Sequence, residues 1–294
     1  MDSQEFIGLV TVTYNSAKVL PGFLRSIEIQ SHANFILYVV DNASTDETLA
    51  MLRNWPDKRL RLLSNNQNFG IAAGNNQGIR QALEDGCDSV LLINNDTEFN
   101  PDLISTLARE LRAQNVDIVC PKIMYFDEPT RIWAAGGRFD KRLGYRPVHL
   151  AGEEIDHGQC DQPRLIDYTP TCCVLIRRSV FEAVGLMDER YFVYFDDVDF
   201  MYRAVQEGMK ILYSPATTLL HKVGRLTGGG ESLFSVRYCT RNRVYFLRRH
   251  LGPFRSLWTL LLYELHYLRG LLSGGLSPKI YYLKHKATWE GLFM

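Results

Sequence analysis

Short runs of β-branched and other apolar residues alternate with helical patterns over about the first 120 residues. Buried strands are predicted at residues 7–13, 35–40 and 89–93. Ser44 and Glu47 form a capping box, which predicts a helix that continues to Trp55. Regularly spaced leucines over residues 103–111 predict a helix after the third strand. This alternation indicates an α/β fold, with a doubly wound, mostly parallel sheet flanked by helices.

The second half of the chain is less regular. Residues 136–163 are rich in glycine, proline and charge, so we expect a substrate-facing loop there. A strand at 172–176, a helix near 200–205 and a strand at 211–220 are predicted next. The glycine-rich residues 227–230 then interrupt the pattern. We therefore expect an α/β domain at 1–232 and a basic amphipathic helical extension at 233–294.

The composition is typical of a folded globular protein, since 46% of the 294 residues are apolar and 22% are charged. The first basic residue is Lys18, so we expect no secretory signal and a cytoplasmic location. The most apolar stretch, residues 257–263, is far shorter than the ~20 residues of a membrane-spanning helix. The six cysteines show no zinc-ligand spacing, which favours reduced packing residues.

Charge is unevenly distributed, although the whole chain is neutral. Residues 237–294 contain ten Lys or Arg against two Glu. A basic tail on an acidic body favours an anionic partner. Two interpretations stay open for this tail. It lies on an anionic membrane surface, on the inner face of the cytoplasmic membrane, or its apolar stripe packs on the catalytic domain or on a second subunit in a homodimer.

Polar residues follow the first two predicted strands, at the edge where doubly wound sheets bind ligands. Thr13, Tyr14 and Asn15 end the first strand, and no G-x-G-x-x-G follows it. A dinucleotide-dependent dehydrogenase is therefore disfavoured. Asp41 ends the second strand and is suited to accept the N–H of a nucleobase, because Ser44 is better placed to cap the next helix.

Two further acidic segments are candidates for catalysis. Asp96, close after Asn94 at the end of the third strand, suits a divalent cation that takes its other ligands from a substrate diphosphate. Asp199 is placed to pair with Arg203 one helical turn later. Asp197 points away from that face, which leaves it as a candidate base near the helix N-terminus.

Six motifs of the chain occur in the order seen in family 2 glycosyltransferases. They are Val12-Thr13-Tyr14-Asn15, residues 40–46, residues 68–78, Asn94-Asn95-Asp96, Leu175-Ile176-Arg177-Arg178 and Asp196-Asp197-Val198-Asp199. The match runs from about Phe6 to Arg249 and resembles the rhamnosyltransferase-like branch that builds bacterial surface polysaccharides. The resemblance implies a GT-A fold, a nucleotide-diphospho-sugar donor, a divalent metal (Mg²⁺ or Mn²⁺), inversion at the anomeric carbon and no nucleic-acid partner.

The resemblance also implies roles for residues at matching positions. Donor binding falls on Thr13, Tyr14, Asn15, Asp41, Asn68, Gly74, Asn75, Asn94 and Arg243. Asp96 would hold the metal and His221 would complete the site, because only one carboxylate of the family's D-x-D motif is present. Asp197 falls on the general base. The acceptor side falls on Asp196, Trp133, Cys172 and Cys173, with Trp133 either stacking on a sugar or packing in the fold.

The sequence thus predicts an inverting glycosyltransferase that uses a dTDP- or UDP-sugar, with dTDP-rhamnose among the candidates, and a glycan or lipid-linked glycan acceptor. One base and one metal site suffice for a single displacement. Two alternatives are a non-catalytic protein of the same fold that binds a nucleotide or a glycan, and a sugar-phosphate nucleotidyltransferase. The presence of Asp197 argues against the first, and the lack of a glycine-rich phosphate loop after the first strand argues against the second.

Overall fold

A computed structural model of the protein describes residues 5–224 and 232–294. Its strands are β1 (Ile7–Thr13), β2 (Phe35–Asp41), β3 (Leu60–Ser64), β4 (Ser89–Ile93), β5 (Thr97–Phe99), β6 (Ile118–Tyr125), β7 (Ile132–Ala134), β8 (Gly137–Asp140), β9 (Arg146–His149), β10 (Arg164–Ile166), β11 (Cys173–Arg177) and β12 (Ile211–His221). Its helices are α1 (Leu20–Glu28), α2 (Thr48–Asn54), α3 (Ile71–Glu84), α4 (Leu103–Ala113), α5 (Arg178–Val184), α6 (Asp196–Gln206), α7 (Leu233–His250), α8 (Pro253–Leu272) and α9 (Pro278–Leu292).

The main sheet has the strand order β10-β12-β6-β11-β4-β1-β2-β3, with β5 beside β12 and β7 beside β6. Strands β3, β2, β1 and β4 run parallel, as the βαβ alternation predicted. Strand β11 lies antiparallel between β4 and β6, and β12 runs parallel to β6. The expected α/β sheet flanked by helices is confirmed.

The central strands are buried on both faces. Leu9 and Leu37 belong to the apolar cluster on one side of the sheet, while Val10 and Tyr38 belong to the cluster on the other side. All four are fully buried, as expected for parallel strands that have helices on both faces. This explains why β1, β2 and β4 are visible in the sequence as continuous apolar runs.

Two local predictions are wrong. Helix α2 begins at Thr48, not after a Ser44 cap, because the Ser44 hydroxyl donates to Asp41 (2.5 Å) and Asp46 accepts from the Thr48 N–H (3.1 Å). Residues 136–163 are also not a loop throughout, since β8 and β9 pair as an antiparallel hairpin that a short 3₁₀ helix joins.

The C-terminal helices pack on one another and on the main body. Tyr245 and Phe246 of α7 belong to the large core cluster beside the sheet. Helix α9 approaches α7 so closely that a side chain at Gly291 would collide with the backbone of α7. The boundary after residue 232 stays a prediction, and the predicted break at 227–230 lies outside the described residues. Within the two described ranges, no helix is long and apolar enough to cross a membrane.

Candidate active site

A cavity of about 460 Å³ lies at the edge of the sheet where β1 and β4 end. Strand β11 is antiparallel to β4, so its first residues meet this edge, and the Asn94 N–H donates to the Cys172 carbonyl (2.9 Å). The cavity brings together seven of the residues that the sequence predicted for the site. They are Asn94, Asp96, Trp133, Cys172, Asp196, Asp197 and His221.

A strained turn places the first residues of α6 in the cavity wall. Tyr194 and Phe195 have positive φ angles of 63° and 68°, a backbone conformation that residues other than glycine rarely adopt. The buried amide of Asn242 on α7 donates to the carbonyls of the two residues before Phe195, both at 2.8 Å. These bonds hold the turn, so that Asp196 and Asp197 both line the cavity.

Asp197 is fixed by two hydrogen bonds. The hydroxyl of Tyr168 donates to its Oδ2 (2.7 Å), and the Val198 N–H donates to its Oδ1 (2.8 Å). Burial raises the pKa of Asp197 above its usual value, although the Tyr168 bond opposes the change. Burial and the charge of Asp197 raise the pKa of the neighbouring Asp196 well above its ordinary value. A carboxylate with a raised pKa in such a wall is suited to accept a proton.

Asp199 has a structural role on the opposite side of α6. Its Oδ2 accepts from Nε of Arg203 (2.7 Å), as predicted, and its Oδ1 contacts Nε2 of His250 on α7 (2.6 Å). Burial raises the pKa of Asp199, but the His250 hydrogen bond and the Arg203 charge outweigh it and hold the pKa below its usual range. The contact between Asp199 and His250 joins α6 to α7.

Asp96 and His221 form a pair of possible metal ligands in the cavity. Oδ1 of Asp96 lies 3.3 Å from Nε2 of His221. Among the described residues, that oxygen and Nδ1 of His221 are buried without a hydrogen-bond partner. No group of three or more His, Cys, Asp or Glu in the described ranges could hold a metal. The pair therefore fits a cation that takes further ligands from a substrate.

The residues predicted for the nucleobase lie beside the cavity, not in its wall. Thr13 donates to Oδ1 of Asp41 (2.8 Å), and both side chains are fully buried. Oδ2 of Asp41 accepts from the Ser44 N–H (2.9 Å). Asn15 accepts through its Oδ1 from Thr45 (2.8 Å), which ties together the loops after β1 and β2. Tyr14 is about half exposed there.

The segment predicted to bind the donor, residues 68–78, also has contacts that support the fold. Oδ1 of Asn68 accepts from the Gly70 N–H (2.9 Å). A Cβ at Gly74 would lie 2.8 Å from the Val12 side chain, so this glycine allows α3 to pack closely on β1. The amide of buried Asn75 faces the sulfur of Met187 (3.8 Å). The donor-binding roles of Asn68, Gly74 and Asn75 stay predictions.

The predicted acceptor residues divide into two groups. Cys172, Asp196 and Trp133 line the cavity, where the Trp133 ring packs edge-on against His221 with ring centroids 4.5 Å apart. Trp133 thus packs in the fold and also faces the cavity. Cys173 does not line the cavity but is fully buried in the core.

The Arg-Asn-Arg segment of α7 has distinct contacts. Nε of Arg241 donates to Oδ1 of Asn242 (2.8 Å) and so orients the amide that holds the turn before α6. Arg243 lies over the ring of Phe195, with its Cζ 6.0 Å from the ring centroid, and does not line the cavity. Its predicted contact with the donor diphosphate stays a prediction.

Sequence reasoning missed two residues that shape the site. Tyr168 follows a segment without periodicity, so no local pattern connects it with Asp197. The ring of His149 packs against Tyr168 (centroids 5.5 Å apart) at the cavity wall. The only available signal for either was its aromatic character within a polar stretch.

The mostly parallel sheet with a cavity at its edge fits the expected GT-A fold. More than half of the chain, residues 9–185, matches the family model described as Glycosyl transferase family 2, and the chain belongs to that family. The expected family and enzyme class are thereby confirmed.

Two curated relatives match most of the chain. It is 28% identical to the low-salt glycan biosynthesis hexosyltransferase Agl10 of Haloferax volcanii, over 81% of this chain and 74% of that protein. It is also 28% identical to the N-acetylglucosaminyl-diphospho-decaprenol L-rhamnosyltransferase of Mycobacterium tuberculosis, over 87% of this chain and 89% of that protein.

The mannosyltransferase PcManGT from Pyrobaculum calidifontis, solved with GDP-Man and Mn²⁺, superposes with a TM-score of 0.59 at 16% identity, covering 99% of this chain and 85% of that one. The likeness to rhamnosyltransferases and the fold class are both confirmed.

Proposed function

We propose that this glycosyltransferase moves a hexose or deoxyhexose from a dTDP- or UDP-sugar to a hydroxyl of a glycan or lipid-linked glycan, with inversion. The observation that carries the proposal is the single cavity whose wall contains Asp197 together with the Asp96 and His221 pair. dTDP-rhamnose is the first donor to test, because the Mycobacterium tuberculosis relative is an L-rhamnosyltransferase.

The reaction is a single in-line displacement. The acceptor oxygen bonds to the anomeric carbon while the bond from that carbon to the diphosphate breaks, and the acceptor proton passes to Asp197. Tyr168 and the Val198 N–H orient that carboxylate before the acceptor arrives. The raised pKa of Asp197, caused by burial, makes it a stronger proton acceptor than an exposed aspartate.

We assign the metal to Asp96 and His221. The buried Oδ1 of Asp96 has no hydrogen-bond partner among the described residues, which suits an oxygen that is left for a cation. A bound Mg²⁺ or Mn²⁺ supplies positive charge that stabilises the leaving diphosphate. The protein offers few ligands here, so the ion would need further ligands from the donor.

We place the nucleotide at the ends of β1 and β2. Uracil and thymine both present N3–H to a carboxylate, so Asp41 would accept from either base. Half-exposed Tyr14 is positioned beside the buried pair of Thr13 and Asp41. The remaining donor-binding residues in this proposal are Asn15, Asn68, Gly74, Asn75 and Asn94.

We place the acceptor sugar against the cavity wall beside Asp197. Asp196, Trp133 and Cys172 line this part of the protein. The tryptophan ring offers an apolar face on which a pyranose packs well. Cys173 lies behind the wall, so we expect it to act on the acceptor only through the packing of Cys172.

Helix α8 supports a location at the inner face of the cytoplasmic membrane. Its unburied side presents a row of exposed apolar residues: Phe254, Leu257, Trp258, Leu261, Leu265, Leu268 and Leu272. Arg255 and Arg269 are also exposed on α8, and Lys279 follows at the start of α9. A basic amphipathic helix of this kind binds anionic lipid surfaces. A homodimer through the same face is the competing outcome.

Product analysis tests the transfer reaction. The full chain is incubated with Mg²⁺ or Mn²⁺, dTDP-rhamnose or a UDP-sugar, and a lipid-linked glycan, and we expect release of the nucleoside diphosphate. Release of pyrophosphate from a sugar phosphate and a nucleoside triphosphate would instead indicate a nucleotidyltransferase. Nucleotide binding with neither product would indicate a non-catalytic binding protein.

A further inference from the structure

Two cationic side chains meet between the C-terminal helices. Arg243 of α7 has its Cζ 5.0 Å from the ring centroid of Tyr263 on α8. Lys284 of α9 has its Nζ 4.6 Å from the ring centroid of Tyr267, also on α8. Both cations therefore rest on aromatic rings of the same helix, which stabilises each charge in a partly dry setting.

This cation pair has no acidic partner in the parts of the chain that the structure describes. Nε of Arg243 is buried there without a hydrogen bond, and Lys284 makes no ion pair. Burial and the charge of Arg243 lower the pKa of Lys284. Elsewhere between these helices Arg237 pairs with Glu290 (2.9 Å), and Oε2 of Glu264 lies 3.2 Å from Nδ1 of His285. Two like charges that rest on the same helix without an ion-pair partner favour a bound anion.

The cation pair lies between the catalytic base and the exposed face of α8. Arg243 covers Phe195, which directly precedes Asp196 and Asp197 in the chain. Neither Arg243 nor Lys284 lines the cavity that holds the Asp96 and His221 pair. An anion bound to these cations is therefore separate from a diphosphate that is held by the proposed metal ligands.

We propose that Arg243 and Lys284 bind the phosphate of a lipid-linked acceptor. The acceptor sugar then reaches Asp197, while the lipid extends toward the apolar side of α8. This inference rests on the proposed function, because it identifies the class of acceptor for the same site. A guanidinium with several donors and a second cation match the several oxygens of a phosphate or diphosphate.

This site is tested by measuring the affinity of the full chain for farnesyl diphosphate by calorimetry. We expect Lys284→Met and Arg243→Met to weaken binding about tenfold or more, the value of one charge-assisted hydrogen bond. Lys284→Arg keeps the charge and should retain binding. Lys286→Met removes an exposed charge from the same helix and is the matched control. The affinity for UDP should be the same in all four variants, since the nucleotide binds elsewhere.

Several results would overturn the proposal. Unchanged farnesyl diphosphate affinity in both Met variants would remove the cations from the site, and an equal loss of UDP affinity would assign them to the donor. Binding of inorganic pyrophosphate as tight as that of farnesyl diphosphate would assign the site to free phosphate.

A different result separates this inference from the proposed reaction. If the parent protein transfers no sugar but its binding of farnesyl diphosphate still depends on Lys284, the proposed reaction is contradicted and the anion site is supported.

Discussion

The carboxylate of Asp197 receives hydrogen bonds from Tyr168 and from the Val198 N–H at the cavity wall. The sequence predicted that this carboxylate would be available, because Asp199 was expected to pair with Arg203, and the structure contains that pair. The contribution of Tyr168 was not predictable. It lies 29 residues from Asp197, and a long-range hydrogen bond leaves no periodic signal in the sequence.

Replacement of Asp197 by Asn tests the base. The variant keeps the shape of the side chain but cannot accept the proton, so we expect kcat to fall by roughly 10²–10⁴ with donor affinity retained. In the parent protein the base acts only when deprotonated, and burial raises its pKa. The rate of nucleoside diphosphate release should therefore fall as the pH is lowered, with a midpoint above the ~3.9 of an exposed aspartate. Near-normal turnover of the variant would exclude this role.

Asp96→Ala tests the metal role by a binding measurement. The change removes the buried carboxylate beside His221, so donor affinity should lose its dependence on Mg²⁺ or Mn²⁺, and EDTA should have the same effect on the parent protein. Asp102→Ala changes an exposed carboxylate outside the cavity and serves as the control. Equal donor affinity of the parent with and without metal would mean that Arg243 or a helix terminus neutralises the diphosphate instead.

Among the elements, α2 and α6 show how local sequence signals and tertiary contacts compete. The capping box at Ser44 failed because its hydroxyl has a stronger partner in buried Asp41, whose position depends on the sheet. In contrast, α6 was predicted from its own periodicity, and it is present. The direction in which α6 leaves the preceding turn was not predictable, because it depends on the hydrogen bonds from Asn242 to the turn at Tyr194 and Phe195.

Asn242→Ala tests whether α7 positions the catalytic helix. Two partly buried backbone carbonyls of the turn lose their donor, so we expect the free energy of unfolding to fall by about 1–3 kcal/mol. Because the turn leads directly to Asp197, kcat should fall more than KM changes, and the acidic limb of the pH profile should move. Leu233→Ala, at an exposed position of the same helix, is the control for both measurements. Loss of stability with an unaltered kcat and pH profile would leave Asn242 a purely structural role.

For the whole molecule, the parallel half of the sheet was predictable, but the order and direction of the remaining strands were not. Strands β1, β2 and β4 appear as buried apolar runs separated by helices, a pattern that has few solutions other than a parallel sheet. The apolar run at β11 was also recognised. Its place between β4 and β6, and its antiparallel direction, depend on pairings across long stretches of chain. Those pairings place Cys172 beside Asn94 and so complete the cavity.

Sedimentation with liposomes tests the exposed face of α8. We expect the full chain to bind vesicles of anionic lipid at low salt, since each basic residue near the surface contributes about 1 kcal/mol, and added salt should release it. Trp258→Ser with Leu265→Ser should weaken binding. Leu165→Ser, at an equally exposed leucine on edge strand β10, is the control. Failure to bind such vesicles, together with loss of a dimer when residues 254–294 are deleted, would make the tail an oligomerisation element.

The position of β11 between β4 and β6 affects how the chain can fold during its synthesis on the ribosome. Strands β1 to β4 are synthesised first, but one edge of β4 has no partner until residues 173–177 have been synthesised. Pairings between distant segments form slowly, and open edges invite association with other chains. The residues that fill this edge also bring Cys172 to the cavity wall, so closing the edge of β4 and placing this part of the wall are one event.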